Sequence, residues 1–234
     1  MMPSNLLRGT NVRLTALTPN DLPLIAQWYQ QSEFLRLFDA SPAYPQTEEV
    51  LAKWLEKRQK ETNSFFFAVR LLENNDLLGY VEFDEILWTH QVSGVSIGIG
   101  DPTHWGKGYG YEAMQLALTF AFNELNLHRV QLTVFSYNER AIALYEKLGF
   151  QREGVYREFL HRDGKRHDMY LYGLLRREWE AQIFSDTAPL PPTPNSGLTL
   201  DRQPLPQSQS ASQDRQDRRL QQLSEQLSSD FLRC

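Results

Sequence analysis

Val12, Leu14 and Ala16 alternate with Arg13, Thr15 and Leu17 closely enough for a half-buried strand, which Pro19 ends. Asn20 then caps an expected helix through about Gln31, with Leu24, Ile25 and Trp28 on one face. A second helix is expected after Thr47, whose hydroxyl can cap the acidic first turn of Glu48 and Glu49. It would bury Val50, Leu51, Trp54 and Leu55. The loop between the two helices, residues 41–45, holds two prolines and is placed to border a pocket.

Residues 64–72 are aromatic and β-branched enough for a strand, 73–76 form a polar turn, and 77–84 return as a hairpin. Residues 93–99 continue the sheet. There Val95, Ile97 and Ile99 share one side, and Ser96 and Gly98 leave the other bare enough for a backbone or a thin ligand to approach. A helix over 111–125 carries Ala113, Met114, Ala117, Ala121 and Leu125 as an apolar stripe. Residues 130–135 are a strand, Asn138 heads a helix through Leu148, and 150–159 with 166–174 form a last hairpin joined around Asp163 and Gly164. The order βααβββαβαββ predicts an α+β fold, an antiparallel-rich sheet with helices over its faces.

The chain has 234 residues, enough for one domain with a real core plus an appendage. Twenty-four Lys and Arg against 29 Asp and Glu leave a net charge of −5, which argues against coating a nucleic acid by counterion release. The single cysteine, Cys234, can form no internal disulfide and no thiolate cluster, which fits a reducing cytoplasm. No membrane span or signal peptide is expected, since no apolar run approaches eighteen residues and residues 1–10 hold no apolar h-region.

The folded domain is expected over residues 1–184. Residues 185–234 hold six of the 12 prolines and one aromatic residue, Phe231, so a Pro-, Gln- and Ser-rich disordered tail is expected there. Leu220, Leu223 and Leu227 lie at helical spacing and leave room for a short helix near 214–229, either unstructured or docking an unknown partner.

The most informative stretch is 101–110, Asp-Pro-Thr-His-Trp-Gly-Lys-Gly-Tyr-Gly, between a strand and a helix. Glycines at 106, 108 and 110 permit a tight path with exposed N–H groups, and the following helix adds its positive end, which together suit a diphosphate. The spacing is neither that of the nucleoside-triphosphate loop nor that of the dinucleotide fingerprint. Lys107 adds a charge there or serves only solvation.

With Ile97-Gly98-Ile99 before it, and Asn138-Glu-Arg-Ala141 and Leu144-Tyr-Glu-Lys-Leu-Gly-Phe150 after it, this stretch resembles the GCN5-related N-acetyltransferase superfamily. The likeness covers about residues 7–179 and points to the branch that acetylates ribosomal-protein N-termini, polyamines and other small amines. It implies the acyl-CoA N-acyltransferase fold, acetyl-CoA as cofactor, and direct transfer of acetyl to an amine. A splayed gap between two parallel strands would admit the pantetheine arm, with backbone at Ile97 and Ile99 facing it. The pyrophosphate would meet the N–H groups of Lys107, Gly108, Tyr109 and Gly110. Trp105 stands where the wider superfamily has Gln or Arg, a departure that narrows the branch.

By the same resemblance Tyr145 gives a proton or hydrogen bond to the departing sulfur. Ala141, Leu144, Tyr145 and Leu148 also mark one apolar helix face, so a core role stands beside it. Asn138 caps its helix and, by resemblance, touches CoA. Arg140 and Lys147 are phosphate contacts or solvated helix charges. Glu82 and Asp84, two apart on a strand, share a face and can draw a substrate ammonium or accept its proton, or remain solvated carboxylates. Tyr44, Trp88 and Tyr170 are candidate walls of the amine pocket. His90 and His104 are loop candidates, while His161 and His167 lack the spacing of a metal site, so no catalytic metal is expected. The expected partners are an amine or protein N-terminus and a second copy of the chain, with no nucleic acid and no membrane. A non-catalytic acyl-CoA-binding sensor or assembly protein is the competing function.

Overall fold

The computed structural model describes residues 6–186. The expected tail, with its possible short helix, lies outside them apart from its first two residues.

Seven strands form one sheet: β1 (Val12–Thr15), β2 (Phe65–Leu71), β3 (Leu77–Leu87), β4 (Val92–Ile99), β5 (Arg129–Phe135), β6 (Gln151–Arg162) and β7 (Lys165–Leu175). Their spatial order is β1-β2-β3-β4-β5-β7-β6. Every neighbouring pair is antiparallel except β4 and β5, which are parallel. The last hairpin turns as its sequence dictates: Asp163 and Gly164 have φ of 52° and 73°, the two left-handed residues that a tight two-residue turn between paired Arg162 and Lys165 requires.

Alternation along the strands separates two cores. Val81, Phe83, Val95, Leu132 and Val134 pack on one face with α4 (Tyr109–Asn123), α5 (Glu139–Lys147) and α6 (Arg176–Asp186). Ala113, Met114, Ala117 and Ala121 of α4 are fully buried there, whereas Leu125 lies past the helix end and is half-buried, and the Trp179 ring of α6 lies 4.9 Å from that of Phe122. Ala68 and Tyr80 face the other way, towards α1 (Leu22–Trp28), α2 (Ser32–Phe38) and α3 (Glu48–Lys60).

The helical layer over Tyr80 differs from the sequence expectation. Residues 20–31 do not form one helix capped by Asn20. Thr18 caps a 3-10 turn over Pro19–Asp21, α1 follows, and the chain turns extended at Gln31 (ψ 110°) before α2 begins. Asp21 holds this start in place: Oδ2 accepts from the Thr18 N–H at 2.8 Å, and both oxygens lie within 2.7 Å of Arg70 Nη2. In α3 the Thr47 cap forms, with Leu51 and Leu55 buried, but Val50 is exposed. The expected domain boundary at residue 184 falls inside α6.

Candidate active site

Sheet register brings the chemistry together. Asp84, Gly94 and Gln131 share a row across β3, β4 and β5. In the next rows Glu82 lies opposite Ser96, and Tyr80 opposite Gly98. β4 and β5 pair only over 92–94 and 129–131, yet both strands continue, to Ile99 and Phe135. Each follows its other neighbour: β4 stays on β3, and β5 is paired with β7 along its whole length. The sheet therefore forks just past Gly94, and a cavity of about 1130 Å³ is lined from both faces of the fork.

The bare face of β4 is covered by side chains from α2 rather than by backbone. A Cβ on Gly98 would stand 3.1 Å from ring carbons of Phe38 and 3.4 Å from Phe34. The far end of α2 is fastened beyond β5, where Asn138 Nδ2 donates to the Leu37 carbonyl at 3.2 Å and Arg162 donates to the Asp39 carbonyl at 2.7 Å. Thus α2 bridges the fork. Asn138 Oδ1 meanwhile accepts from the Ala141 N–H, so both ends of this amide serve the fold, although Asn138 does line the cavity.

At the wide end of the fork lies the glycine loop. Gly106 and Gly108 have φ of 72° and 85°, a left-handed path that L side chains resist, and no atom lies within 4 Å of where their Cβ atoms would stand. Gly108 is the N-cap of α4, whose first-turn N–H groups have no intrahelical carbonyl to meet and whose dipole end favours an anion. An unpaired strand edge leading to an open loop and a helix start fits an elongated ligand with a diphosphate, the shape of a CoA thioester.

Ile97, Ile99, Trp105, Gly108, Tyr109, Gly110, Arg140 and Lys147 all line the cavity. Lys107 is exposed and does not. Trp105 Nε1 donates to the Ile99 carbonyl at 2.8 Å, so that carbonyl already has a partner within the chain. The two α5 cations sit on aromatic faces: the Arg140 guanidinium is 3.8 Å from the Trp105 ring centre, and Lys147 Nζ is 4.3 Å from that of Tyr111.

Tyr145 packs in the core and also borders the cavity. Its ring packs edge-on at 5.8 Å from Phe150, it is 6 % exposed, and it lines the cavity from the α4 side of the sheet. Glu82 and Asp84 line it from the other side. Glu82 Oε1 has Arg58 Nε at 3.1 Å but no hydrogen bond among the described residues. Burial pushes the Glu82 carboxyl up to about 8; Arg58 works against this, while Asp84 and Glu61 add to it. Burial also raises Asp84. Next to them the Tyr29 and Tyr80 hydroxyls are 2.9 Å apart, and burial holds both protonated, Tyr29 up to about 12.

Arg58 was missed from sequence because it stands in the basic run at the end of α3, where a cation usually serves the helix dipole. Its spacing of seven and three residues from buried Leu51 and Leu55 put it on the inward face, and that signal was available. Of the expected amine walls, Tyr44 lines the cavity, while Trp88 and Tyr170 do not. Trp88 is 48 % exposed beyond the end of β3 and meets Phe65. Tyr170 pairs across from Val134, which faces the α4 core, so its ring points to the wrong side of the sheet and lies 3.7 Å below the Arg152 guanidinium. His104 lines the cavity with Nδ1 buried and without a hydrogen bond among the described residues, whereas His90, His161 and His167 lie off it.

Residues 11–151 match the family model for the Acetyltransferase (GNAT) domain. The SPbeta prophage-derived uncharacterized N-acetyltransferase YokL of Bacillus subtilis (strain 168) is 30% identical over 172 residues, 74% of this chain and 94% of that protein. A crystal structure of spermidine N-acetyltransferase from Vibrio cholerae, in complex with CoA and spermine, is similar at TM-score 0.66 and 28% identity, over 72% of this chain and 98% of that one. A dodecameric structure of the Vibrio cholerae spermidine enzyme is similar at TM-score 0.62 and 28% identity, over 73% and 97%. With the forked sheet and the glycine loop in place, the chain belongs to the GNAT acetyltransferases, whose chemistry is acetyl-CoA-dependent transfer to an amine.

Proposed function

We propose that the chain is an N-acetyltransferase that moves acetyl directly to a primary amine: a protein N-terminus, a polyamine or another small amine. The observation that carries this reading is the fork, where an unpaired stretch of β4 borders a cavity with Tyr145 on one side of the sheet and Glu82 and Asp84 on the other. When bound, acetyl-CoA supplies an acetyl carbon activated as a thioester and a sulfur leaving group. Ile97, Trp105, Gly108, Tyr109 and Gly110 would hold it, with Arg140 and Lys147 alongside.

The chain's own residues supply the proton handling. The Tyr145 hydroxyl holds a proton for the departing sulfur. The Glu82 carboxylate, in its ionised form, takes the proton that an ammonium must lose before its nitrogen can attack. Phe34 and Phe38 on the bridging helix keep water from the middle of the fork. Self-association belongs to the same reading, supported by the dodecameric relative.

Incubation with acetyl-CoA and a panel of polyamines, short peptides and aminoglycosides tests it. Amine-dependent release of free CoA is expected. Tight CoA binding with no release across the panel favours the acyl-CoA-binding sensor instead.

A further inference from the structure

The two carboxylates at the fork are not equivalent. Arg58 binds Glu61 at 2.8 Å and approaches Glu82 to 3.1 Å, so Glu82 already has a counter-cation from the chain. Asp84 has no cation within 4 Å among the described residues, although the Arg58 charge still acts on it. Its place is closely set. A Cβ on Gly94 would fall 2.1 Å from Asp84 Oδ1, so the carboxylate lies over the glycine at the row where β4 and β5 part. The β3 backbone bulges there, with Glu85 at φ 47° and a register shift between Asp84 and Leu87. Buried Ser93 donates from Oγ to the Asp84 carbonyl at 2.9 Å and fixes the bulge.

The remaining wall carboxylates are Glu153, Asp39 and Glu85. Glu153 is paired with Arg129, Asp39 accepts from the Ser41 N–H at 2.7 Å, and Glu85 is exposed on the bulge. Phe34, Phe38, Trp54 and Tyr80 line the same cavity. Exposed apolar groups border the cavity as well. Six large apolar side chains are exposed among the described residues, and three of them, Tyr44, Val50 and Tyr156, line this cavity. Scattered exposure needs no explanation, but three such side chains along one cavity do.

Taking the acetyltransferase reading as its basis, we propose that the acceptor is a singly charged amine on an apolar body, with Asp84 holding its ammonium. An ammonium leaving water needs a counter-ion, and Asp84 offers one that no chain cation pairs with, on a wall that also carries aromatic rings. An apolar body exchanges water for those same rings. Asp84 is then a binding residue.

Steady-state kinetics with 2-phenylethylamine and spermidine, at saturating acetyl-CoA, test this. The kcat/KM for 2-phenylethylamine is expected to exceed that for spermidine, and Asp84→Asn to raise the KM for 2-phenylethylamine about 10-fold or more with the KM for acetyl-CoA unmoved. Asp84→Glu should recover part of the loss. Should Asp84→Asn fail to fold by thermal melt, Gly94→Ala displaces the same carboxylate and should raise the same KM. Spermidine used as well as or better than 2-phenylethylamine, or an amine KM indifferent to the substitution, overturns the inference and leaves acetyl transfer standing. No transfer to any amine of the panel removes both.

Discussion

The Arg140 guanidinium lies 3.8 Å from the centre of the Trp105 ring, whose N–H is bonded to the Ile99 carbonyl at 2.8 Å. One indole thus links the end of β4 to α5 across the wide end of the fork. The latch combines a cation–π contact with a hydrogen bond, together about 1–2.5 kcal/mol. Trp105→Leu is expected to weaken CoA binding about 10-fold by titration calorimetry, and Trp105→Phe, which keeps a ring face, to weaken it less. An unchanged Kd for the leucine variant would show that the fork holds its width without the latch.

Gly108 must adopt φ 85°, where an L residue costs about 1–2 kcal/mol, and it stands in open space beside the first turn of α4. Gly108→Val should therefore lower the melting temperature and also the affinity for CoA, because the new side chain takes room that a diphosphate needs. Stability lost with affinity intact would separate the loop from binding.

Tyr145→Phe retains the ring that packs on Phe150 and removes only the hydroxyl. CoA affinity should persist while kcat falls roughly 10- to 10,000-fold. Turnover at the wild-type rate would leave Tyr145 a packing residue.

Glu82 titrates near 8 because burial disfavours its charged form. A base must be ionised, so the amine kcat/KM should rise with pH along a limb centred near 8, and Glu82→Gln should lose that limb. The same shift acts on stability with a definite sign. The unfolded chain ionises this carboxyl near its ordinary value and the folded chain only near 8, so stability falls as pH rises between the two. Melting curves of the Gln variant should lack this decline.

Glu112 works in the opposite sense. It opens α4 and accepts from the Asn11 N–H at 2.8 Å and Asn11 Nδ2 at 2.9 Å, tying β1 to the helix. Burial pushes its carboxyl up, but the hydrogen bonds from residues 10–12 outweigh it and hold the group below its ordinary value. Its contribution is present above the unfolded value and lost as pH falls through the folded one. Glu112→Gln should lower the melting temperature at pH 7, with the difference closing as the buffer is taken below pH 4. A difference independent of pH would assign the effect to packing.

Local signals in the chain carried much of the fold. The Asp163-Gly164 turn, the Thr47 and Asn138 caps and the period-two strands are determined within a few residues, and each forms where its chemistry requires. The glycine loop was legible for the same reason, since left-handed backbone at 106 and 108 leaves a residue-level mark. What depended on distant partners was hidden. Gly98 read as an open face because nothing near it in sequence names Phe34 and Phe38 as its cover. The break at Gln31 follows from the packing of α2 over the sheet, which no helix propensity encodes. Glu82 and Asp84 looked alike in sequence, two carboxylates on one face, but Arg58 arrives from α3 within 3.1 Å of Glu82 while Asp84 lies over Gly94 on β4.

A crystal structure of the chain with CoA tests the fork most directly. The pantetheine arm is expected between residues 95–99 of β4 and 132–135 of β5, with the diphosphate against the N–H groups of 108–110. Strands 4 and 5 zipped together past Gly94 with CoA bound elsewhere on the surface would contradict it.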